Sequence, residues 1–371
     1  MRFDEQATLG RALAKVTKTA GRVRDRIPYR SESGRFDDWS ERDISWWTNG
    51  FWPGLLWLTY RETKNPELAR WAEGAEKRMD GAFEDYIGLH HDVGFMWKPS
   101  SVARYEITGA QDARVRGLHA ASLLAGRFNL AGRFIRAWND DKVGWAIIDC
   151  LMNLPLLYWA SEELGDPRFR QIAEAHTETV QRYFLFPDGS SKHIVEFDPA
   201  SGAYVRNYGG QGYSETSAWS RGCAWALYGL SLGAYYAQRS DFLASAEFVA
   251  GFFLSHLPED GVPFADFKAP AAENAYKDSS AGACAASGLL LLSTLVPPEK
   301  ADALVVGARK ILSGLTESCA DWDGDEALLQ HGCTAYHENT PGWRDTSLIY
   351  GDYFYLEALL RLQGREGLFQ L

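Results

Sequence analysis

Residues 50–83 read GFWPGLLWLTYRETKNPELARWAEGAEKRMDGAF, and the contrast between the two halves of this stretch decides the fold. The first half is apolar around most of its circumference, whereas the second carries charge on one face and small or apolar residues on the other. Asn65 is placed to cap the second half, and Pro66 takes its first helical position, where a missing N–H costs nothing. A helix that is apolar all round must be contacted on all sides, and one with a single charged face lies between its neighbours and water. The stretch is therefore an inner helix followed by an outer one.

The same arrangement recurs along the chain. Residues 151–184, LMNLPLLYWASEELGDPRFRQIAEAHTETVQRYF, repeat it with Asp166 and Pro167 at the break. Residues 221–257 and 285–315 follow, the latter with Pro298 at its break. GLHAASLLAGRF (117–128) and LIYGDYFYLEALLRL (348–362) supply two further candidate inner helices, which brings the number to six. Six alternating pairs close into a double ring. The expected fold is all-α, an (α/α)6 barrel, in a single domain over residues 1–371. The one stretch with strand-like alternation, SSKHIVEFDPASGAYVRNYGGQGYS (190–214), is expected to form a small hairpin around Gly202.

Composition sets outer bounds. Hydrophobic residues make up 46% and charged residues 23%, with no low-complexity tract, as in an ordered globular protein. The 14 tryptophans are either buried in a large helical core, the simpler reading for any one ring, or set against a flat ligand such as a sugar. A net charge of −11 repels polyanions, so no nucleic-acid or anionic-membrane partner is expected. The amino end, MRFDEQATLGRALAKVTKTAGRV, carries acids and no apolar signal-peptide core, and the longest apolar run, GLLLLSTLV, is far below a membrane span. A cytoplasmic location is expected. The five cysteines are odd in number and lack a C-x-x-C spacing, which fits reduced, buried thiols. Nothing in the sequence sets an oligomeric state.

In a helical ring the loops leading into the inner helices line the mouth of the central cavity. Here these are DISWWTNG, HHDVGF, GWAIID, GGQGYSETSAWSR, AYKDSSAG and AYHENTPGWRDTS. They gather Trp, His, Asp, Asn, Gln and Arg where the fold would collect them. Asp149 lies among Ile147, Ile148, Cys150 and Leu151. A dry setting would raise its pKa and let it donate a proton, while a helix-capping role would lower it, and both readings stand. Asp92 follows His90 and His91 and precedes Gly94, as a catalytic carboxylate or an ordinary turn aspartate would. Two such carboxylates close together would raise each other's pKa.

Arg221 and Trp225 lie one helical turn apart behind Trp219. An arginine framed by tryptophans suits a carboxylated sugar, and it equally suits an internal pair with an acid such as Glu215. His193 could bond a substrate hydroxyl, tune an acid or serve the structure alone. No H-x-x-x-H or H-E-x-x-H spacing occurs among the eight histidines, so no metal site is expected. Walker, Rossmann and G-x-S-x-G fingerprints are also missing.

Taken together, WWTNGFWPGLLWL, HHDVGFMW, DCLMNLPLLYWAS, GYSETSAWSRGCAWALYG, DSSAGACAASGL and SLIYGDYFYLEAL resemble the unsaturated glucuronyl hydrolases, glycoside hydrolase family 88. The resemblance implies an (α/α)6 barrel acting on oligosaccharides left by polysaccharide lyases. These end in a 4-deoxy uronic acid with a C4=C5 double bond beside the ring oxygen. The implied reaction is that of an unsaturated β-glucuronyl hydrolase: vinyl-ether hydration, in which water adds at C5 and the hemiketal opens. No cofactor is implied, because the substrate's ring oxygen stabilises the cation. The family pattern assigns Asp149 as general acid and then base, and Asp92 as the second essential carboxylate. It assigns Trp46, Asn49, His193, Gln211, Trp219, Arg221, Trp225 and Tyr336 to the substrate wall. Where the family commonly reads SDDSTWARGQAW, this chain reads SETSAWSRGCAW, so the preference for the leaving sugar is open. The alternatives are an unsaturated rhamnogalacturonyl hydrolase acting on pectin fragments and a non-catalytic carbohydrate-binding toroid.

Overall fold

Helix Phe51–Thr63 buries every residue from Phe51 to Thr59, as a helix enclosed by others must. Its successor, Pro66–Asp85, buries only a stripe through Leu68, Ala72, Ala75, Glu76, Met79 and Ala82. Asn65 accepts from the N–H of Glu67, and Asp166 accepts from the N–H of Arg168 at the start of Pro167–Tyr183. The chain breaks between inner and outer helices therefore fall where the caps and prolines place them.

The computed structural model describes residues 3–273 and 275–371, so the first two residues of the amino end read above lie outside the described residues. The inner helices are Phe51–Thr63, an interrupted helix over 93–108, Pro155–Leu164, Ser220–Ala237, Ser279–Ser293 and Ile349–Leu362. They alternate with the outer helices Glu5–Val23, Pro66–Asp85, Gln111–Ala125, Pro167–Tyr183, Ser240–Ser255 and Pro298–Ser318. The ring closes where Ile349–Leu362 packs between Phe51–Thr63 and Ser279–Ser293. This is the (α/α)6 barrel.

One element differs from expectation. Residues 117–128 form no inner helix: 117–125 end the outer helix Gln111–Ala125, which buries only Ala113, Gly117, Ala120, Ala121 and Leu124, and Phe128 begins a short strand. Val115 on its far side is 60% exposed. Alanine and glycine make a helix look apolar all round without requiring burial. The inner helix of this repeat runs instead through Val93–Trp97, a π-turn over Lys98–Val102 and Ala103–Thr108. Lys98 and Pro99 at the π-turn disguise it as a loop.

The hairpin expected around Gly202 is present. Strand Ile194–Phe197 pairs antiparallel with Tyr204–Tyr208, and Gly202 turns the chain with φ of 74°. Trp145–Ile147 adds an unforeseen third strand to Ile194–Phe197, too short to announce itself by alternation. The sheet matters because it runs directly into Asp149.

The rings of Phe51, Phe95, Trp225 and Phe354 pack with centroids 5.1–5.5 Å apart and fill the middle of the ring. Burying each such side chain stabilises the fold by about 1.5–3 kcal/mol, so much of the aromatic content is core. All five cysteines are buried and unpaired. No helix among the described residues is long and apolar enough to cross a membrane.

Candidate active site

The loops entering the inner helices bring their polar side chains to one end of the ring. Asp92 lies immediately before Val93–Trp97 without capping it through its side chain. Its carboxylate instead meets His90 Nδ1 at 3.1 Å and His91 Nε2 at 3.4 Å, and accepts from Asn153 Nδ2 at 3.4 Å. Burial works to raise the Asp92 pKa, but His91, His90 and Asn153 outweigh it and hold the carboxyl below its ordinary value. Burial also draws His91 down to about 4, leaving a neutral imidazole. The ligand-capable atoms of His90, His91 and Asp92 lie within 4.8 Å of one another. The carboxylate they surround is already engaged by both rings and by Asn153.

Asp149 occupies the 3-10 turn Ile148–Met152, anchored where the N–H of Ile148 donates to the carbonyl of His193. Its side chain is 17% exposed, and Oδ1 accepts no hydrogen bond from any described residue. The capping alternative is therefore not what the fold adopts. Desolvation and the nearby negative charge of Asp92 push the Asp149 pKa up to about 8, against a smaller opposing effect of Arg221. The pair does not rise together. Asp149 keeps its proton at neutral pH while Asp92 is ionised, the division of labour that acid catalysis between carboxyl groups needs.

His193 Nε2 stands 3.8 Å from Asp149 Oδ1. Its Nδ1 accepts the N–H of Gln211 at 2.9 Å, which fixes the neutral tautomer with the proton on Nε2, toward the acid. Burial lowers its pKa to about 3. Gly210 makes this possible: at φ of 57° it sits where a Cβ would fall 1.9 Å from His193 Nδ1. The ring of Trp219 packs 4.5 Å from the imidazole.

Arg221 is 1% exposed and lies 4.7 Å over the ring of Trp219. Nη1 pairs with Asp278 at 2.7 Å and also donates to the carbonyl of Cys333, while Nη2 donates to the carbonyl of Thr334 at 2.6 Å. Both Nη atoms are thus committed inside the protein, and only Nε is without a partner. Its internal acid is Asp278 and not Glu215, which reaches Arg206 at 3.8 Å instead.

Gln211 ties the loops together, donating Nε2 to the carbonyl of Thr334 and accepting the N–H of Tyr336 at its own carbonyl. Asn49 is fully buried and donates Nδ2 to the carbonyls of Asp43 and Ile44, holding the turn that carries Trp46. Trp225 packs 5.1 Å from Phe95. Tyr336 is set apart: its hydroxyl donates to the carbonyl of Glu273, and its ring belongs to a separate small cluster with Ala265, Ala269 and Cys333.

Five of the ten residues singled out from the sequence carry a buried polar atom that no described residue satisfies: Trp46 Nε1, Asn49 Oδ1, Asp149 Oδ1, Arg221 Nε and Trp225 Nε1. Buried polar groups are normally paired, and these unpaired atoms make the region that holds them a candidate ligand site. Asn153, His91 and Asp278 also shape this region without having been foreseen. Asn153 lies four residues after Asp149, a spacing that could have pointed to it.

The model of the Glycosyl Hydrolase Family 88 matches residues 19–234. The unsaturated glucuronyl hydrolase of Bacillus sp. (strain GL1) is 36% identical, with 96% of each chain covered. The unsaturated chondroitin disaccharide hydrolase of Streptococcus pyogenes serotype M1 is 34% identical over 86% of this chain and 82% of its own. The solved structure of the Bacillus sp. GL1 unsaturated glucuronyl hydrolase superposes with a TM-score of 0.91 at 34% identity, covering 99% of both chains. The chain belongs to glycoside hydrolase family 88.

Proposed function

We propose that residues 1–371 act as one catalytic domain that removes an unsaturated 4-deoxy-β-glucuronyl residue from the non-reducing end of lyase-generated oligosaccharides. The observation that carries this reading is the asymmetric pair: Asp149, protonated by burial and without a hydrogen-bond partner at Oδ1, beside an ionised Asp92.

Protonation at C4 of the vinyl ether needs an acid that still holds its proton near neutral pH, and a carboxylate alongside that does not compete for that role. Asp149 gives its proton to C4. Positive charge then spreads over C5 and the ring oxygen, and the Asp149 carboxylate takes a proton from the water that adds at C5. The hemiketal opens and the remaining saccharide leaves. Asp92 binds sugar hydroxyls and, as a fixed negative charge, favours the protonated form of Asp149. Trp46 offers a ring face to the pyranose, Trp219 backs the wall between Arg221 and His193, and His193 offers Nε2–H to a hydroxyl.

Arg221 contributes buried positive charge and rigidity to the wall, since its Nη atoms already have acceptors. Five free, buried thiols support work in a reducing compartment, the cytoplasm.

Turnover of an unsaturated glucuronyl disaccharide in 18O-labelled water tests the reading. Hydration places the label on C5 of the released uronic acid, whereas ordinary glycoside hydrolysis would place it on C1 and leave the ultraviolet absorbance of the double bond in place.

A further inference from the structure

Beside His90, with neither Asp92 nor Asp149 in its wall, lies a cavity of about 350 Å3 whose lining includes Ser122, Arg127, Phe128, Arg136 and Asn139. This volume is in the range of small-molecule sites. Its charge is unusual for a protein of net charge −11. No acidic side chain lines it among the described residues, although two guanidinium groups do. Cavities elsewhere walled by Arg170, Arg344 and Arg22 each also contain an acid, Glu162, Asp345 and Glu326 respectively, and in the cavity walled by Arg239 that guanidinium is already paired with Glu178 and Asp241.

The two guanidinium groups have only neutral acceptors. Arg127 donates Nε to the carbonyl of Arg136 at 2.9 Å, Nη2 to the carbonyl of Ala137 at 2.9 Å and Nη1 to Asn139 Oδ1 at 2.6 Å. Arg136 donates Nη2 to the backbone carbonyl of Asp140, whose carboxylate is taken by Lys142 at 3.3 Å, and its buried Nε has no partner. Burial, with Arg136 alongside, pushes the Arg127 pKa down to about 10 against a smaller opposing pull from the Asp92 charge, and no carboxylate bonds either guanidinium directly. Holding two such groups together is costly unless a counter-charge can join them. Phe128 adds a half-buried ring face to the same wall.

We infer that this cavity is a second binding site, separate from the catalytic pair, for a sugar carrying an oxyanion, a sulfated or carboxylated monosaccharide unit. Arg136 Nε supplies the free donor, Arg127 the fixed charge and Phe128 the apolar face. The site backs onto His90, whose Nδ1 lies 3.1 Å from Asp92.

Calorimetric titration of glucose 6-sulfate into the Asp149→Asn chain, saturated with an unsaturated disaccharide so that the catalytic site is filled, tests this. Millimolar or tighter binding is expected, with no measurable heat from glucose and at least tenfold weaker binding of inorganic sulfate. Arg136→Gln should weaken binding at least tenfold. Ser122→Glu, which puts an acid into the wall from an exposed helical position, should abolish it. Both variants should keep the wild-type circular dichroism and turnover within about threefold. Absence of heat in the parent chain, equal affinity in both variants, or inorganic sulfate binding as tightly as the sulfated sugar overturns the inference. The same titrations on the unliganded wild-type chain separate this outcome from a failure of the catalytic assignment, because the cavity does not contain Asp149.

Discussion

Asn153 holds Asp92 and the backbone of Asp149 with one amide nitrogen: Nδ2 is 3.4 Å from Asp92 Oδ1 and 3.3 Å from the carbonyl of Asp149. Its Oδ1 meanwhile accepts the N–H of Phe95 at 2.6 Å, and Gly94 lets the two segments approach, since a Cβ there would fall 2.4 Å from Asn153 Cα. The spacing of the two carboxyl groups, and with it the split of their pKa values, depends on this link.

Asn153→Ala should therefore lower kcat by roughly ten- to a hundredfold, the kinetic equivalent of losing one hydrogen bond to a charged group. Chemical denaturation should show a loss of about 1–3 kcal/mol from the unpaired Phe95 amide. A variant with unchanged kcat would show that the link is only structural.

The pH profile of kcat/KM should be bell-shaped. The proposed chemistry needs Asp149 protonated, so activity should fall as pH rises through about 8. The same chemistry needs Asp92 ionised, and the acid limb should lie below the ordinary carboxylate range. His193→Gln should lower the rate while leaving the alkaline limb in place, because His193, drawn down to about 3 by burial, does not titrate near pH 8.

Stability should respond to Asp149 in the opposite sense to its ionisation. Unfolded, the group titrates near its ordinary 3.8, and folded near 8. Between these values the native state holds a proton that the unfolded chain releases, so stability falls as pH rises through the window and levels off above it. A tenfold difference in proton affinity between the folded and unfolded chain corresponds to about 1.4 kcal/mol at most, and partial exposure reduces it. Asp149→Asn, which cannot ionise, should melt several degrees above the wild type at pH 8.5 and close to it at pH 4. Equal melting temperatures at pH 8.5 would mean that the carboxyl is not desolvated.

Arg221→Met should destabilise the fold by about 3–5 kcal/mol, because it strands Asp278 as a buried charge. Arg221→Met with Asp278→Asn should recover a large part of that loss without recovering activity. If the single variant were as stable as the wild type, the pair would carry no structural weight.

What the sequence disclosed follows from how local each signal is. Asn65 with Pro66, and Asp166 with Pro167, mark helix starts by neighbours one or two residues away, so the repeat and the ring were legible. The inner helix at 93–108 was not, because its π-turn breaks the periodicity that identifies a helix. Asp92 and Asp149 were legible as carboxylates in apolar company, but the direction of each pKa was not: it depends on His90, His91 and Asn153 around one group and on burial beside the Asp92 charge around the other. Arg221 illustrates the same limit. Its acid is 57 residues away in sequence, brought near because both residues stand at the mouth ends of adjacent inner helices, and nothing within the local stretch could name it.

The state of Asp149 itself is the most direct measurement. Titration of the enzyme labelled with 13C at aspartate carboxyl carbons, with Asp149→Asn as the reference that removes one resonance, should show that carboxyl ionising near pH 8. Complete ionisation by pH 6 would leave no acid to protonate C4 at neutral pH and would contradict the proposed chemistry.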